Sequence, residues 1–525
     1  MVRLEASYEA NGPRILVGEH QMPEQMIQKE VEEELIRDPP GNPWSPPVPK
    51  RQNFVDPKKQ HALNVMKSAR FNQSTSVSPS PLSFFFPPLP SSLNYLGVMI
   101  DAGRHYFPPR WLHQQLHYFH SLGYNYIHFR LTDDQNFVLN LTIPSEFLEG
   151  KNITGASLAF VARREQEQES LLDPDAINGR NTSNPRSGSV VYQPEELSEF
   201  VRVAKDRYNI TVIPEVNVPG HAGAWGANDA LPDLVVSCPE FACSMGYGVP
   251  LNVTHPKLSK LLKHVLTQVV EIFDNPPFLH LGGDELHMSG PCLQEAGITN
   301  PSLWMQESVP RFEHGVLRPI LEDLGYGPHQ ILRWENKHQP QIKDAQQHRF
   351  GGITHYWETE PLAATNVSRR SHEPFVISTG LYLDVVWYDR IYGYGDFLTA
   401  QRLVSDHESN PPLAIVVGTF ELGIEFWEDR NVLGRLLAIR MGVADASSVE
   451  HSSSAMPTEK SPTTNSIIPK TQHEFKTEYM AKCNSIFSKQ QSFPCEKSGR
   501  PLLEDKRFEA KLKWVWKEWK NGLCE

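Results

Sequence analysis

The chain has 525 residues, 39% hydrophobic and 21% charged, enough for one large core and ordinary for a globular protein. Its formal net charge of -12 argues against a nucleic-acid partner, because phosphate binding needs basic patches. No apolar run approaches the ~20 residues of a membrane span, and residues 1–30 hold no apolar h-region of a secretory signal.

In chain order, residues 1–93 read as an irregular or reduced N-terminal lead-in, rich in Pro and, over 72–92, in Ser and Pro. A repeating pattern occupies 94–445. Strands are predicted at 95–100, 124–131, 210–218, 277–283, 330–335, 350–357, 374–384 and 413–420. They are near-continuous apolar runs, as suits a parallel sheet buried on both faces. Helices are predicted between them at 109–121, 195–207 and 257–274. The last carries Leu258, Leu261, Leu262, Val265, Val269 and Ile272 at helical spacing. Residues 140–193 hold sequons, Gly and Asn and read as a surface insertion. Residues 446–470 read as a polar loop and 471–525 as a short helical C-terminal extension. Eight strand–helix units imply an α/β fold, the (β/α)8 TIM barrel.

Seven N-x-S/T sequons stand at Asn72, Asn140, Asn152, Asn181, Asn209, Asn252 and Asn366. Six cysteines stand at 238, 243, 292, 483, 495 and 524. Together they favour a secretory, lysosomal or vacuolar compartment; a reduced cytosolic protein with idle sequons is the other reading.

A barrel of this class carries its chemistry where the strands end. The first strand ends in Asp101, Arg104 and His105, the second in Asp133-Asp134, the third in Pro219-Gly220-His221. The fourth ends in His280-Leu281-Gly282-Gly283-Asp284-Glu285. The fifth supplies Trp334-Glu335, the sixth Trp357-Glu358, the seventh Tyr382 and Asp384, and the eighth leads into 421–428. Polar groups converging among aromatic walls suit a polyol ligand. Taken singly, Asp133-Asp134 also suits a helix cap, Arg104 a structural ion pair, and any one Trp the core. Asp284-Glu285 is sharper. Two close carboxylates repel, which predicts one raised pKa beside a permanent anion. Glycoside cleavage needs both a proton donor and an anion. The His residues lack the His-Glu-x-x-His spacing of a zinc hydrolase, and neither metal nor organic cofactor is expected.

The order Asp-x-x-Arg-His, Thr-Asp-Asp-Gln, Pro-Gly-His, His-x-Gly-Gly-Asp-Glu, Tyr-Leu-Asp resembles the family 20 glycoside hydrolases, the β-N-acetylhexosaminidases, over roughly 95–445. The resemblance implies an exo-acting enzyme on terminal GlcNAc or GalNAc of β-linked glycans or chitooligosaccharides. It implies a retaining mechanism in which the substrate's own acetamido oxygen is the nucleophile. Glu285 would be the acid/base and Asp284 would orient the acetamido group. Tyr382 would bond the acetamido oxygen and Arg104 the C3 and C4 hydroxyls. Asp133, Asp134 and His221 would tune Glu285. Trp334 and Trp357 would wall the pocket, and Asp384 would contact the C6 hydroxyl or the next sugar. The resemblance also implies bridges from Cys292 to Cys238 or Cys243 and between Cys483 and Cys495, and a homodimer.

The chain departs from the family pattern at several places. Leu96-Gly97 stands where Arg-Gly is usual. Asn217 stands where Asp usually precedes the Pro-Gly-His motif. After the last strand Gly423 replaces a pocket Trp, leaving Glu425 as a hydroxyl ligand and Trp427 as a nearby substitute. The small domain that precedes such barrels is not recognisable in 1–93. Val385 after Asp384, in place of an Arg, points to a neutral substrate. These departures support a second reading, a catalytically impaired glycan-binding relative.

Overall fold

A computed structural model describes residues 86–91, 93–144, 147, 160–161, 191–226, 231–236, 249–286, 298–300, 303–335, 352–358, 374–383, 394–405, 412–419, 427, 432–452 and 471–487. The chain divides into two units, Met1–Thr75 and Ser76–Glu525, and all described residues belong to the second. Residues 1–85, the stretches 453–470 and 488–525 and most of the 140–193 insertion lie outside the described residues. So do five of the six cysteines, the exception being Cys483.

Eight parallel strands close into a barrel. They are β1 (Tyr95–Asp101), β2 (Tyr126–Arg130), β3 (Thr211–Glu215), β4 (Leu279–His280), β5 (Ile331–Trp334), β6 (Ile353–Tyr356), β7 (Phe375–Ile377) and β8 (Ala414–Val417). Each pairs with its chain neighbour, and β8 closes on β1 with Tyr95 opposite Ala414. The (β/α)8 expectation holds: every predicted strand is present, β1 one residue longer than predicted and the other seven shorter. The ends that fall away run from Gly282 and Gly283, both in the left-handed region, to apolar residues such as Val216 and Leu381 that continue past the ladder.

Helices α1 (Pro109–Ser121), α2 (Pro194–Tyr208) and α3 (Leu258–Ile272) follow the first three strands. Segment 304–323 mixes α-helical turns with π-helical turns at Trp304–Ser308 and Glu313–Leu317. Helices α4 (Tyr394–Ser405) and α5 (Val432–Ser452) flank β8, and α6 (Gln472–Phe487) packs on both. The α5 helix runs through Ser452, past the expected boundary at 445.

Strand alternation sorts the core into two layers. Ile127 and Phe129 of β2 face the helices with Val98, Leu116 and Val265. Tyr126 of β2 faces the barrel interior with Met99, Ile213, Leu332, Val376 and Val416. Following the same parity, the interior turns polar towards the strand ends: His128, Arg130, Glu215, His280 and His355 are all fully buried. That polar layer was not singled out from the sequence.

The α4–α5 crossing is set by Gly442. A Cβ there would lie 2.2 Å from the Phe397 carbonyl oxygen and 3.1 Å from Ala400 Cβ. In an open helix Gly→Ala gains about 0.5–1 kcal/mol, while overpacking a tight contact costs about 1–3 kcal/mol. Gly442→Ala is therefore expected to lower Tm. Gly315→Ala, in a helical segment with nothing within 4 Å, is expected to raise it. Thermal melts of the two variants check the pair, and a stabilised Gly442→Ala would refute the close crossing.

Candidate active site

The site grows from the ends of β1 to β4. After β4 the backbone leaves strand geometry: Gly282 has φ 54°, Gly283 φ 85° and Glu285 φ 44°. Neighbouring strand residues point to opposite faces; the left-handed turn breaks that alternation at the acidic pair. Gly282 is needed for space as well, since a Cβ would lie 2.2 Å from Asn217 Cγ. The turn is held from below and from the side. His280 Nδ1 accepts the Gly282 N–H at 3.1 Å. Asn217 Oδ1 accepts the Gly283 N–H at 2.7 Å, and Asn217 Nδ2 donates to Asp284 Oδ1 at 3.0 Å.

His221 links the acids of β2 to those of β4. It is 1% exposed, with φ 48°. Its Nδ1 stands 3.2 Å from Asp133 Oδ1 and 3.4 Å from Asp134 Oδ2. Its Nε2 stands 3.2 Å from Glu285 Oε2 and 3.9 Å from Asp284 Oδ2. Burial opposes charge on the ring, but Asp133, Asp284 and Asp134 outweigh it and hold His221 well above the usual imidazole range. Both ring nitrogens then carry protons.

Asp133 is the hub behind it. Burial opposes its charge too, yet Arg104, Arg130 and His221 hold the carboxyl well below the usual range. Arg104 Nε lies 3.3 Å from Asp133 Oδ2 and its NH1 3.0 Å from Asp101 Oδ2. Arg130 contacts Asp133 and stands 3.5 Å from Glu215 Oε1. Glu215 in turn accepts the Trp334 indole N–H at 2.8 Å and pairs with His128 at 2.7 Å. Asp134 Oδ1 accepts the N–H groups of Gly223 at 2.9 Å and Val249 at 2.8 Å, tying down the chain around His221. Asp284 is also depressed: burial raises it, and His221, Arg130 and the Asn217 amide more than reverse that. Asp284 thus stands as the anion of the expected pair, with the His221 cation between it and Glu285.

Of the residues singled out from the sequence, the structure brings together Arg104, Asp133, Asp134, His221, Asp284 and Glu285. Tyr382 bridges to Gly418 where β7 and β8 end. Trp357 is half-buried, its indole N–H donating to the Glu335 carbonyl at 3.0 Å, and the Glu335 carboxylate accepts the N–H groups of Trp357 and Glu358. Trp334 lies inside the barrel, 1% exposed and stacked on His355 at 4.0 Å, so its face is covered by a ring rather than open to a pocket. Trp427 does not take the place of the missing pocket Trp. It is 5% exposed and lies edge-on to Trp111 at 4.9 Å, beside Phe107 and Phe119. Those partners belong to the layer between barrel and helices. Asp384, Glu425 and Gly423 lie outside the described residues.

Three groups among the described residues have metal-ligand spacing: His128–His280–His355, Asp133–Asp134–His221 and His221–Asp284–Glu285. The last two share His221. In the first, His280 Nδ1 accepts a backbone N–H, so His280 Nε2 carries the proton and donates to His355 Nδ1 at 3.2 Å. His355 Nε2 then donates to Ser378 Oγ at 2.6 Å. Burial, with the charge of His128 added, holds both rings well below the usual range, and they stay neutral.

Residues 93–395 match the model of the glycosyl hydrolase family 20 catalytic domain. The chain belongs to that family. Beta-hexosaminidase subunit A1 of Dictyostelium discoideum is 31% identical over 213 residues, covering 40% of this chain and 31% of the relative. Beta-hexosaminidase subunit beta of Homo sapiens is 23% identical over 304 residues, covering 56% and 46%. The chain thus matches less than half the length of either relative. The crystal structure of a beta-N-acetylhexosaminidase superposes with a TM-score of 0.50 at 16% identity, over 78% of this chain and 79% of that one, which shows the shared fold.

The charge on His221 predicts a pH dependence of stability. A base whose native pKa lies above its unfolded value of ~6.5 contributes fully below that value and fades as pH rises through the native one. Asp133 and Asp284, with depressed native values, contribute above ~3.9 and fade as pH falls through theirs. Replacing His221 with Gln removes the cation that Asp133, Asp134 and Asp284 share and should cost about 3–5 kcal/mol near pH 6. The deficit should narrow towards alkaline pH. Urea denaturation across pH measures it; a deficit independent of pH would contradict a protonated His221.

Proposed function

We propose that the chain is an exo-acting β-N-acetylhexosaminidase, removing terminal non-reducing GlcNAc or GalNAc by a substrate-assisted retaining mechanism. One observation carries the reading: an ionised Asp284, oriented by Asn217, beside a Glu285 that shares its imidazolium. An ionised, fixed carboxylate is an acceptor for an N–H donor, and the substrate's 2-acetamido group supplies one beside the reacting carbon. Glu285 is the more accessible acid, with 17% of its side chain exposed against 9% for Asp284.

The acetamido oxygen attacks C1 as the bond to the leaving oxygen breaks, and Glu285 gives that oxygen its proton. The positive charge passes to an oxazolinium ring whose N–H is held by Asp284. Glu285, now ionised, takes a proton from water as the water oxygen attacks C1 and the ring opens. Two displacements at C1 restore the original configuration. Arg104, with an accessible edge on its buried ion pairs, binds the C3 and C4 hydroxyls. Tyr382 bonds the acetamido oxygen and Trp357 walls the pocket. Asp384 and Glu425 serve as hydroxyl ligands. The substrate is neutral, and the assembly is a homodimer bordering the pocket.

A secretory or lysosomal-type compartment is supported by Cys483, which is disulfide-bonded, and by the exposed sequon residue Asn209 at the end of α2. No described helix is long and apolar enough to cross a membrane.

A chromogenic N-acetylglucosaminide assay tests the proposal. Glu285→Gln should lower kcat by ~10²–10⁴-fold, and Asp284→Asn by ~10²–10³-fold. Folded wild-type protein that binds the sugar without turnover would favour the glycan-binding reading. A Glu285→Gln variant near wild-type rate would remove Glu285 from the acid role.

A further inference from the structure

Asn217 is fully buried where the exits of β3 and β4 meet. Its backbone N–H donates to Thr132 Oγ1 at 2.9 Å. Its side-chain bonds have one permitted direction. The Gly283 N–H can only donate, so the amide oxygen faces Gly283 and the NH2 is turned onto Asp284 Oδ1. A carboxylate at 217 would satisfy Gly283 equally well, but it would set a second oxygen about 3.0 Å from Asp284 Oδ1. Two carboxylates that close cannot both ionise without large cost, and they share a proton.

We infer that Asn217 is a positioning residue that makes Asp284 a permanent, singly oriented anion by spending its N–H donor on Oδ1 and leaving Oδ2 for a substrate N–H. The inference rests on the proposed role of Asp284. Other groups act on Asp284 as well: His221 of the β3 exit at 3.9 Å, the charge of Arg130 on β2, and Glu285 on the far side of His221, with Asp133 and Asp134 behind it. These set how strongly Asp284 holds its charge. Besides the backbone N–H of Asp284 itself, which also favours the charged carboxyl, Asn217 supplies a donor that cannot be titrated away, and it is the one that engages Oδ1. In a chain with Asp at 217, the same bond would exist only while the shared proton lasted.

The test compares wild type, Asn217→Asp and Asn217→Ala as full-length proteins, with kcat for the chromogenic N-acetylglucosaminide followed from acid to alkaline pH. At acid pH the aspartate variant carries the shared proton and should stay within about ten-fold of wild type. Its alkaline limb should begin at lower pH than in wild type, falling about ten-fold per pH unit as one proton is lost. The alanine variant should be slower at every pH with unmoved limbs. An aspartate variant slowed equally at all pH, or one that keeps the wild-type alkaline limb, overturns the inference. Wild-type inactivity in folded protein would instead overturn the proposed function. The Asn217 inference is then read from Tm against pH. A native proton on the 217–284 pair that the unfolded chain lacks makes the Tm gap between Asn217→Asp and wild type widen from about pH 4 upward. A constant gap overturns it.

Discussion

A protonated imidazole with almost no exposure, His221, is what the rest of the site depends on. Unit charges ~4 Å apart interact by on the order of 4 kcal/mol at an effective dielectric of ~20, and His221 lies within that range of four carboxylates on two strand ends. Remove its charge and Asp133, Asp134, Asp284 and Glu285 confront one another in a buried volume. With it, the ends of β2 and β4 are drawn to one point, and the chain between Pro219 and Gly223 is held there by Asp134. Around His221, Arg104 and Arg130, carboxylates still outnumber cations. An excess of fixed negative charge is the electrostatic condition for favouring a reaction centre that becomes positive.

The second requirement is geometric. Adjacent acids on a regular strand would point to opposite faces. Here the strand ends at His280, and three residues of the next five take left-handed backbone. Such backbone is cheap for Gly282 and Gly283 and costly for Glu285. The turn is held by His280 Nδ1 of its own strand and by both side-chain polar atoms of Asn217 from the exit of β3. The Gly282 position shows how tightly this is built: its missing Cβ is the space that Asn217 occupies.

Much of this was legible in one dimension. The apolar strands gave the barrel, and acids gathered at strand ends gave the site, because both are properties of local sequence. Strand ends were over-extended, at 210–218 and 374–384 for instance, since apolar residues continue beyond the last ladder bond. What sequence pattern could not supply is contact between distant elements. Trp427 was placed near the pocket by its distance along the chain, whereas Trp111 and Phe107 draw it behind the barrel wall. Mutual repulsion of Asp284 and Glu285 was expected from adjacency; His221, far earlier in the chain, changes the balance. The polar interior did leave a signal. His128 and Arg130 recur at a period of two within an apolar strand, and charge on an inward face of a barrel has to be answered by charge from another strand, here Glu215.

The interior beneath the acids is divided. On the β2–β3 side Arg130, Asp133 and Glu215 are linked by ion pairs. On the β4–β7 side a chain of neutral donors and acceptors runs from Gly282 through His280 and His355 to Ser378. The chain is ordered in one direction: each ring accepts on Nδ1 and donates on Nε2. No nitrogen in it is left to take a proton without breaking a bond, and burial makes charging either ring unfavourable. The charged half is held in another way: Arg104, Arg130 and His221 keep Asp133 ionised against its burial. The polar floor under the site thus holds the glycine turn with neutral rings on one side and the buried acids with cations on the other.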